Sequence, residues 1–191
     1  MILALNASPR SNGVTTTLLR AVVEGIDASE PVQWVDVNGL HVHPCLGCLR
    51  CRPDRVCVLP RDDGHRIGEM IADATALVIG SPCYWGNMTG PLKTLLDRNV
   101  PVFEYLGEGL PKPRQKGKPA LLVVASNAPS PWHLLPWQSR GTVRVVKTVL
   151  RAGGYRLHRV INVPNARRFE ERRSRLEAEA RRSGAALTRD L

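Results

Sequence analysis

The sequence contains no long apolar run, and we expect neither a membrane anchor nor an export signal in it. No run of about 18 apolar residues, the length of a membrane-spanning helix, occurs in its 191 residues. The first ten residues, MILALNASPR, read as a short apolar strand and not as a signal peptide. We therefore expect a cytoplasmic protein without a membrane partner, and its length is that of a single domain over residues 1–191.

Several sequence motifs are also missing. The chain has neither the G-x-G-x-x-G fingerprint nor the Lys-containing P-loop, which argues against those two modes of nucleotide binding. No internal repeat is visible, and no catalytic triad or carboxylate pair is evident. We therefore predict no catalytic side chain, and any chemistry is expected to come from a bound cofactor.

Acidic residues are few beside basic ones. The sequence has 17 Asp and Glu against 27 Lys and Arg, a formal charge of +10, which suits nucleic acid, membranes or phosphorylated ligands. The largest basic run, residues 165–184, also holds four glutamates, and its segment predicts an amphipathic helix whose apolar face carries Phe169, Leu176, Ala180 and Leu187. We expect no nucleic-acid partner and a general attraction for anionic cofactors.

Apolar runs of strand length alternate with segments of helical period. The predicted strands cover residues 2–6, 32–37, 76–81, 120–125 and 157–163. Helical stripes lie between them, residues 165–184 supply a last helix, and residues 108–119 read as an exposed connection. This alternation predicts an α/β three-layer sandwich, with a five-stranded parallel sheet and helices on both faces. For five strands the flavodoxin-like order 2-1-3-4-5 is expected.

In this fold, ligands bind beyond the carboxyl ends of the strands, here at residues 7–16 and 82–89. The first loop, NASPRSNGVTTT, leads into a helix whose backbone N–H groups favour a phosphate. Arg10 adds charge, and side-chain donors are available on Ser8, Ser11, Asn12, Thr15 and Thr16. The alternative is that these residues only cap the helix, but one capping residue would be enough.

The second loop places aromatic residues directly after a predicted buried strand. Tyr84 and Trp85 are followed by Gly86 and Asn87, a pattern that suits the face of a flat ring system and close approach of the backbone. The alternative is a turn whose aromatic residues cover the core. Beside a phosphate-binding loop, a bound flavin is the better interpretation.

These two loops resemble those of the NADPH-dependent FMN reductase family, which has the flavodoxin fold. The specific motifs are NASPRSNGVTTTLL and GSPCYWGNMTGPLKTLLDR, and the resemblance covers roughly residues 1–100. It implies that FMN is the cofactor and that its phosphate is held by Ser8, Arg10, Asn12 and Thr15. It further implies that the isoalloxazine ring and ribityl chain are lined by Pro82, Tyr84, Trp85, Gly86 and Asn87.

The resemblance also implies a third flavin loop after the fourth strand, in residues 125–142, to which Ser126 belongs. This segment departs from the short glycine-rich loop of many relatives, because Trp132, Leu134 and Trp137 make it apolar. It is expected to form a wall of the acceptor pocket or a subunit contact; alternatively it covers one edge of the core. Relatives commonly pair so that a neighbour completes the flavin pocket, which implies a homodimer or homotetramer.

Four of the five cysteines occur within PCLGCLRCRPDRVC, residues 44–57, as Cys45, Cys48, Cys51 and Cys57. The first three have the spacing of bacterial ferredoxins, and the fourth could complete a 4Fe-4S site. Redox-active or inert thiols and a zinc site are the alternatives. His41 and His43 flank the block and are candidates to join a metal site; the alternative is that they are simply solvated.

Two further expectations concern the surroundings of the block. Asp62 or Asp63 is expected to cap the next helix, and nearby arginines at 50, 52 and 55 are expected to lower the thiol pKa values.

The cysteine block resembles that of archaeal-type iron-sulfur flavoproteins, which carry a 4Fe-4S cluster beside FMN. The sequence therefore predicts an FMN-dependent NAD(P)H oxidoreductase, with NAD(P)H as co-substrate and a quinone, flavin, azo or nitro compound as the small-molecule acceptor. One alternative is an iron-sulfur flavoprotein acting in electron transfer. The other is a non-catalytic thiol or zinc redox sensor on the same scaffold.

Overall fold

The computed structural model describes residues 1–52, 56–107 and 109–191. Its strands, in chain order, are β1 (Ile2–Asn6), β2 (Val32–Asp36), β3 (Ala76–Pro82), β4 (Glu104–Tyr105), β5 (Lys112–Pro113), β6 (Pro119–Ala125) and β7 (Arg156–Val163). Its α-helices are α1 (Val14–Glu24), α2 (Asp63–Asp73), α3 (Gly90–Arg98), α4 (Val100–Phe103), α5 (Ser139–Ala152) and α6 (Arg173–Thr188).

The main sheet has the order β2-β1-β3-β6-β7, and every neighbouring pair in it is parallel. Since β6 and β7 are its fourth and fifth strands along the chain, the predicted order 2-1-3-4-5 and the flavodoxin-like fold class are confirmed. The three central strands β1, β3 and β6 are buried almost throughout, as expected for a parallel sheet covered on both faces.

Helices cover the sheet on both faces. One core contains residues of α1 and α6, including Leu18, Val22 and Leu187, packed against the sheet. The other contains residues of α2, α3 and α5, including Ile67 and Leu95. No helix within the described ranges is long and apolar enough to span a bilayer.

The last helix begins later than predicted. Residues 165–184 were expected to be one helix, but two 3₁₀ turns, Ala166–Arg168 and Glu170–Arg172, precede α6. Asn165 has a left-handed backbone, and the Arg172 guanidinium donates to the carbonyls of Pro164 and Asn165 at 2.7 and 3.2 Å. These contacts turn the chain before the helix starts. Phe169, Ala180 and Leu187 are nevertheless buried, as the apolar stripe predicted.

The connection predicted to be exposed is only partly so. Strand β5 pairs with β4 in a short antiparallel hairpin. Gln115 is buried, because its side-chain amide donates to the Val102 carbonyl at 2.7 Å and its backbone N–H donates to Gly153 at 2.8 Å. These bonds hold residues 112–118 against α4 and the end of α5.

Helices α1 and α6 touch at two glycines. A Cβ on Gly184 would overlap the backbone oxygen of Val22, and a Cβ on Gly25 would overlap the backbone oxygen of Arg181. Backbone lies on the far side of each contact, so a side-chain rotation cannot make room. The close approach of this helix pair therefore depends on both glycines.

Gly184→Ala is expected to lower the free energy of unfolding by about 2 kcal/mol through overpacking. This loss should appear although alanine favours a helix over glycine by about 1 kcal/mol. Urea unfolding measures it, with Gly39→Ala as the control, because nothing lies within 4 Å of a Cβ at that position. Equal stability of the two variants would contradict the tight helix contact.

Candidate functional site

The loops after β1 and β3 leave the sheet side by side. Asn6 pairs with Gly80 in the register of the two strands, and the Ala7 N–H donates to the Gly80 carbonyl at 2.8 Å. The Cys83 N–H donates to the Ala125 carbonyl at 2.8 Å, which brings the loop after β6 to the same edge. The residues predicted to bind flavin therefore start from three neighbouring strands. We call this part of the molecule the carboxyl edge of the sheet.

Asn6 organises the first loop, and sequence reasoning did not single it out. Its side-chain amide donates to Asp36 Oδ1 at 2.7 Å, and its Oδ1 accepts the Ser8 N–H at 3.3 Å. The Thr16 hydroxyl donates to the Arg10 carbonyl at 2.8 Å and lies 3.3 Å from Asn6 Oδ1. A polar residue at the end of a buried strand was the available signal for this role.

The residues predicted to bind the phosphate fall into two groups, one buried and one exposed. Ser8, Thr15 and Thr16 are buried, and the Ser8 hydroxyl bonds the Arg10 backbone at both its N–H and its carbonyl. Arg10, Ser11 and Asn12 are exposed. The buried residues thus shape the loop, and the exposed residues are available to a ligand.

The start of α1 carries no side-chain cap. Its N-cap is Gly13, with an extended backbone and no side-chain hydrogen bond to the first turn. The interpretation that serine or asparagine caps this helix is therefore wrong. The first N–H groups of a helix lack intrahelical acceptors, so they face the loop as donors, and the helix dipole favours an anion there. The geometry fits a phosphate.

The second loop is a tight turn that presents Trp85 to solvent. Tyr84 and Asn87 exchange both backbone hydrogen bonds at 2.9 Å. Trp85 and Gly86 between them have φ values of 53° and 71°, and the left-handed region is uncommon for a bulky side chain. A Cβ on Gly86 would lie 2.7 Å from the Trp137 backbone. The second and third loops are therefore in direct contact.

Ser126 has an unsatisfied hydroxyl at the same edge. The residue is 6% exposed, its N–H donates to the Val163 carbonyl, and its Oγ has no hydrogen-bond partner among the described residues. A buried polar group without a partner costs about 1–3 kcal/mol. A ligand with a polar atom at this edge would remove that cost, which is an independent sign that the edge fits a cofactor.

The third loop does not simply cover the core. Trp132, Leu134 and Trp137 are between 50 and 64% exposed, and Tyr84 and Trp85 beside them are also exposed. We call these five residues the aromatic rim. Their exposure excludes the core-cover alternative for these side chains, and leaves a pocket wall or a subunit contact.

Asp62 closes the base of the cysteine loop. Its carboxylate accepts the N–H of Gly64 at 2.9 Å as the N-cap of α2, and His65 completes a capping box. The Arg98 guanidinium donates to both carboxylate oxygens, at 3.0 and 3.2 Å, and to the His43 carbonyl at 2.7 Å. The His43 N–H also donates to Asp62. The predicted cap by Asp62 is confirmed, and Asp63 instead bonds His41.

The pKa of Asp62 reflects this arrangement. Burial alone would raise it, but the bonds from His43, the charge of Arg98 and the bond from His65 outweigh burial and hold the pKa well below its usual value. The His65 ring also lies 2.9 Å from the Cys57 carbonyl. His65, which had no sequence pattern to single it out, therefore joins the far end of the cysteine loop to α2.

The four thiols of the loop are free. Cys45 and Cys48 are exposed, while Cys51 and Cys57 are partly buried. Burial raises the pKa of the Cys51 thiol, and the neighbouring cysteines add to that rise. The expectation that nearby arginines lower the thiol pKa values is therefore wrong for Cys51. Arg55 lies outside the described residues.

The loop is chemically suited to an iron-sulfur cluster, although its ligands are not gathered. Four thiolates are the usual donor set, and Gly47 and Leu49 within the loop have left-handed backbones. The Gly47 N–H lies 3.5 Å from Cys45 Sγ. In the part of the chain that the structure describes, no three His, Cys, Asp or Glu residues are placed to hold a metal ion. His41 and His43 do not join the thiols.

The carboxyl edge, with its uncapped helix start and aromatic turn, agrees with the sequence comparisons. The profile of the NADPH-dependent FMN reductase family matches residues 1–138. The chain belongs to this family, which confirms the resemblance seen in the sequence and supports FMN as its cofactor.

Individual relatives add detail. The chain is 31% identical over 103 residues to an iron-sulfur flavoprotein of Methanocaldococcus jannaschii, covering 53% of this chain and 52% of that protein. The chain spans about half the length of the curated relatives it matches.

Solved structures give a second comparison. An FMN-dependent NADH-azoreductase of Bacillus anthracis in complex with FMN has a TM-score of 0.75 at 15% identity, with 98% of this chain and 99% of that one covered. A protein of Streptococcus mutans has a TM-score of 0.78 at 15% identity, covering 97% and 98%. At these identities the structures support the fold.

Asp62→Asn is expected to lower the free energy of unfolding by about 3 kcal/mol at pH 7, because it leaves the Arg98 charge buried without its partner. The pKa of Asp62 is lowered in the folded state, so its contribution is present above about pH 4 and lost as the pH falls further. The difference between wild type and Asp62→Asn should therefore shrink below about pH 4.

Urea unfolding at pH 7 and pH 3 measures this difference. The control is Asp97→Asn, which removes an exposed ion pair with Lys93 and should cost less than about 1 kcal/mol. A difference between wild type and Asp62→Asn that stays constant with pH would contradict the role of the Asp62 charge.

Proposed function

We propose that the protein is an FMN-dependent NAD(P)H oxidoreductase that passes electrons from a nicotinamide through bound flavin to a small acceptor, such as a quinone, flavin, azo or nitro compound. The observation that carries this proposal is the meeting of an uncapped helix start and an aromatic turn on adjacent parallel strands. Membership of the NADPH-dependent FMN reductase family supports it.

In this proposal the phosphate of FMN is held by the first turn of α1 together with the exposed Arg10, Ser11 and Asn12. Asn6 keeps the loop in shape, with Ser8, Thr15 and Thr16 packed beneath it. Arginine donates charge-assisted hydrogen bonds, which are roughly twice as strong as neutral ones.

The ring and ribityl chain of the flavin are assigned to the second and third loops, at Pro82, Tyr84, Trp85, Gly86, Asn87 and Ser126. Gly86 allows the backbone to come close, and the Ser126 hydroxyl gains a partner. When bound, the flavin supplies hydride acceptance from a nicotinamide and onward electron transfer. The protein's own share is to bind and orient the ring and to exclude water.

A second function, that of an iron-sulfur flavoprotein acting in electron transfer, is favoured by the cysteine loop. Cys45, Cys48, Cys51 and Cys57 would be the ligands of a 4Fe-4S cluster, and the curated relatives are iron-sulfur flavoproteins by name. The Asp62–Arg98 pair contacts one end of that loop at His43, and His65 links Asp62 to the other end at Cys57. A thiol or zinc redox sensor is the alternative of a different class, supported by the exposure of Cys45 and Cys48.

We further propose that a second copy of the chain covers the aromatic rim, giving a homodimer or a homotetramer. The rim is an exposed apolar patch, and such patches mark interaction sites more often than ordinary surface. Its position beside the flavin loops would place a partner's residues at the acceptor pocket. Residues 1–191 are proposed to act as one domain in the cytoplasm.

Arg10→Ala is expected to weaken FMN binding about tenfold, because a hydrogen bond to a charged group contributes about 1.5–3 kcal/mol. The dissociation constant is measured by quenching of flavin fluorescence as the protein is added. Arg175→Ala is the matched control, since it removes the same charge from an exposed position on α6. Equal affinities of the two variants would remove Arg10 from the phosphate site.

Protein purified without oxygen is expected to show flavin absorption bands at about 370 and 450 nm, and these bands should bleach when NAD(P)H is added. If the cluster is present, a broad shoulder and bound iron accompany these bands, and Cys48→Ser should lose the iron while keeping FMN. Cys83→Ser, outside the loop, is the control for iron content. A colourless preparation that contains zinc would favour the sensor over both flavin functions.

A further inference from the structure

A separate cavity of about 450 Å³ lies behind the cysteine loop, along the outer side of α2. Its other wall is formed by α4 and by residues that follow the β4–β5 hairpin. Apolar surface comes from Val56, Ala72, Pro101 and Val102. Lys118 lines its far end and immediately precedes β6, whereas the carboxyl edge follows β6. The cavity therefore extends to the opposite edge of the sheet from the proposed flavin site.

Positive charge dominates the lining of this cavity. Four lining residues are cationic, namely Arg61, Arg98, Arg114 and Lys118. Glu69 is the one carboxylate among the described lining residues. Part of this charge is already engaged, because Arg61 pairs with Glu69 at 2.7 Å and Arg98 pairs with Asp62.

Lys118 forms no ion pair with any residue that the structure describes. Its ammonium group donates to the Ala72 carbonyl at 2.6 Å and to Gln115 Oε1 at 2.7 Å, and both acceptors are uncharged. No carboxylate among the described residues lies within ion-pair distance of it. Burial lowers the pKa of Lys118, an effect that the charge of Asp73 partly offsets. One of the three ammonium donors is left for a ligand.

Arg98 also lines the cavity, and one of its buried nitrogens lacks a partner among the described residues. The residue is 3% exposed and lines the cavity, and its Nε has no hydrogen-bond partner among the described residues. A partly desolvated cleft lined by one sign of charge concentrates ligands of the opposite sign. The apolar wall adds affinity for a molecule with a hydrophobic body.

We propose that this cavity binds a small organic anion, a carboxylate or a phosphate on an apolar body, with Lys118 as its principal charged contact. The site is distinct from the flavin edge and does not depend on the proposed oxidoreductase activity. Because the cavity also touches Cys57 and His65, its occupant would lie against the base of the cysteine loop.

Calorimetric titration of the FMN-saturated protein tests the proposal, because the flavin edge is then filled. The probes are benzoate, phenyl phosphate and the neutral benzamide. At least one of the two anions is expected to bind at one saturable site per chain, and benzamide at least about tenfold more weakly, since it lacks the charge. The two anions separate a carboxylate from a phosphate preference. If the chain takes up no FMN, the same titration of the purified protein still decides this proposal.

Two substitutions with opposite effects locate the site. Lys118→Gln should weaken anion binding about tenfold, while Lys116→Gln, an exposed lysine two positions earlier, should leave it unchanged. Glu69→Gln should strengthen binding by about threefold, because it removes the lining carboxylate and releases Arg61. Thermal melting checks that each variant is folded, and Glu69→Gln keeps the test valid should Lys118→Gln not fold.

The proposal is overturned if neither anion binds saturably, if benzamide binds as tightly as the anions, or if Lys118→Gln and Lys116→Gln bind alike. A Glu69→Gln variant with weaker binding than wild type would equally contradict it.

Discussion

The parallel pairing of β1 with β3 is the constraint on which the proposed site depends. Because both strands run in the same direction, the loops that follow them emerge at one edge, where the Ala7 N–H bonds the Gly80 carbonyl. Asn6, the last residue of β1, then fixes the loop that leads to the uncapped start of α1. If this pairing shifted by one residue, the side chains of the shifted strand would point into the opposite apolar core, and Ala7 would no longer lie opposite its partner Gly80.

A second constraint, the buried Asp62–Arg98 ion pair, sets the position of the cysteine loop. One carboxylate caps α2, receives a guanidinium from α3 and accepts the N–H of His43. The two ends of the cysteine loop, at His43 and Cys57, are therefore tied to the start of α2 through Asp62 and His65. Cys45 and Cys48 are exposed, and the described residues do not gather the thiols into a metal site.

Features that depend on local residue patterns could be predicted from the sequence. Apolar runs and helical stripes indicated the strands, their order and the loops at the carboxyl edge, and Asp62 before α2 had the residue type of a cap. Contacts between distant residues could not be read in this way. Arg98 bonds Asp62 from 36 positions away, and Asn6 bonds Asp36 across 30. The delayed start of α6 likewise depends on bonds from Arg172 to backbone carbonyls and not on helix propensity.

The central claim is that the carboxyl edge takes up FMN, and a direct titration tests it. Purified protein, stripped of any flavin by mild denaturation and refolding, is added to FMN while the flavin fluorescence is followed. The account predicts saturable quenching at one FMN per chain, with the bound flavin reduced on addition of NADH or NADPH. Absence of any uptake at excess protein would contradict the assignment of both loops, whatever the cysteine loop is found to carry.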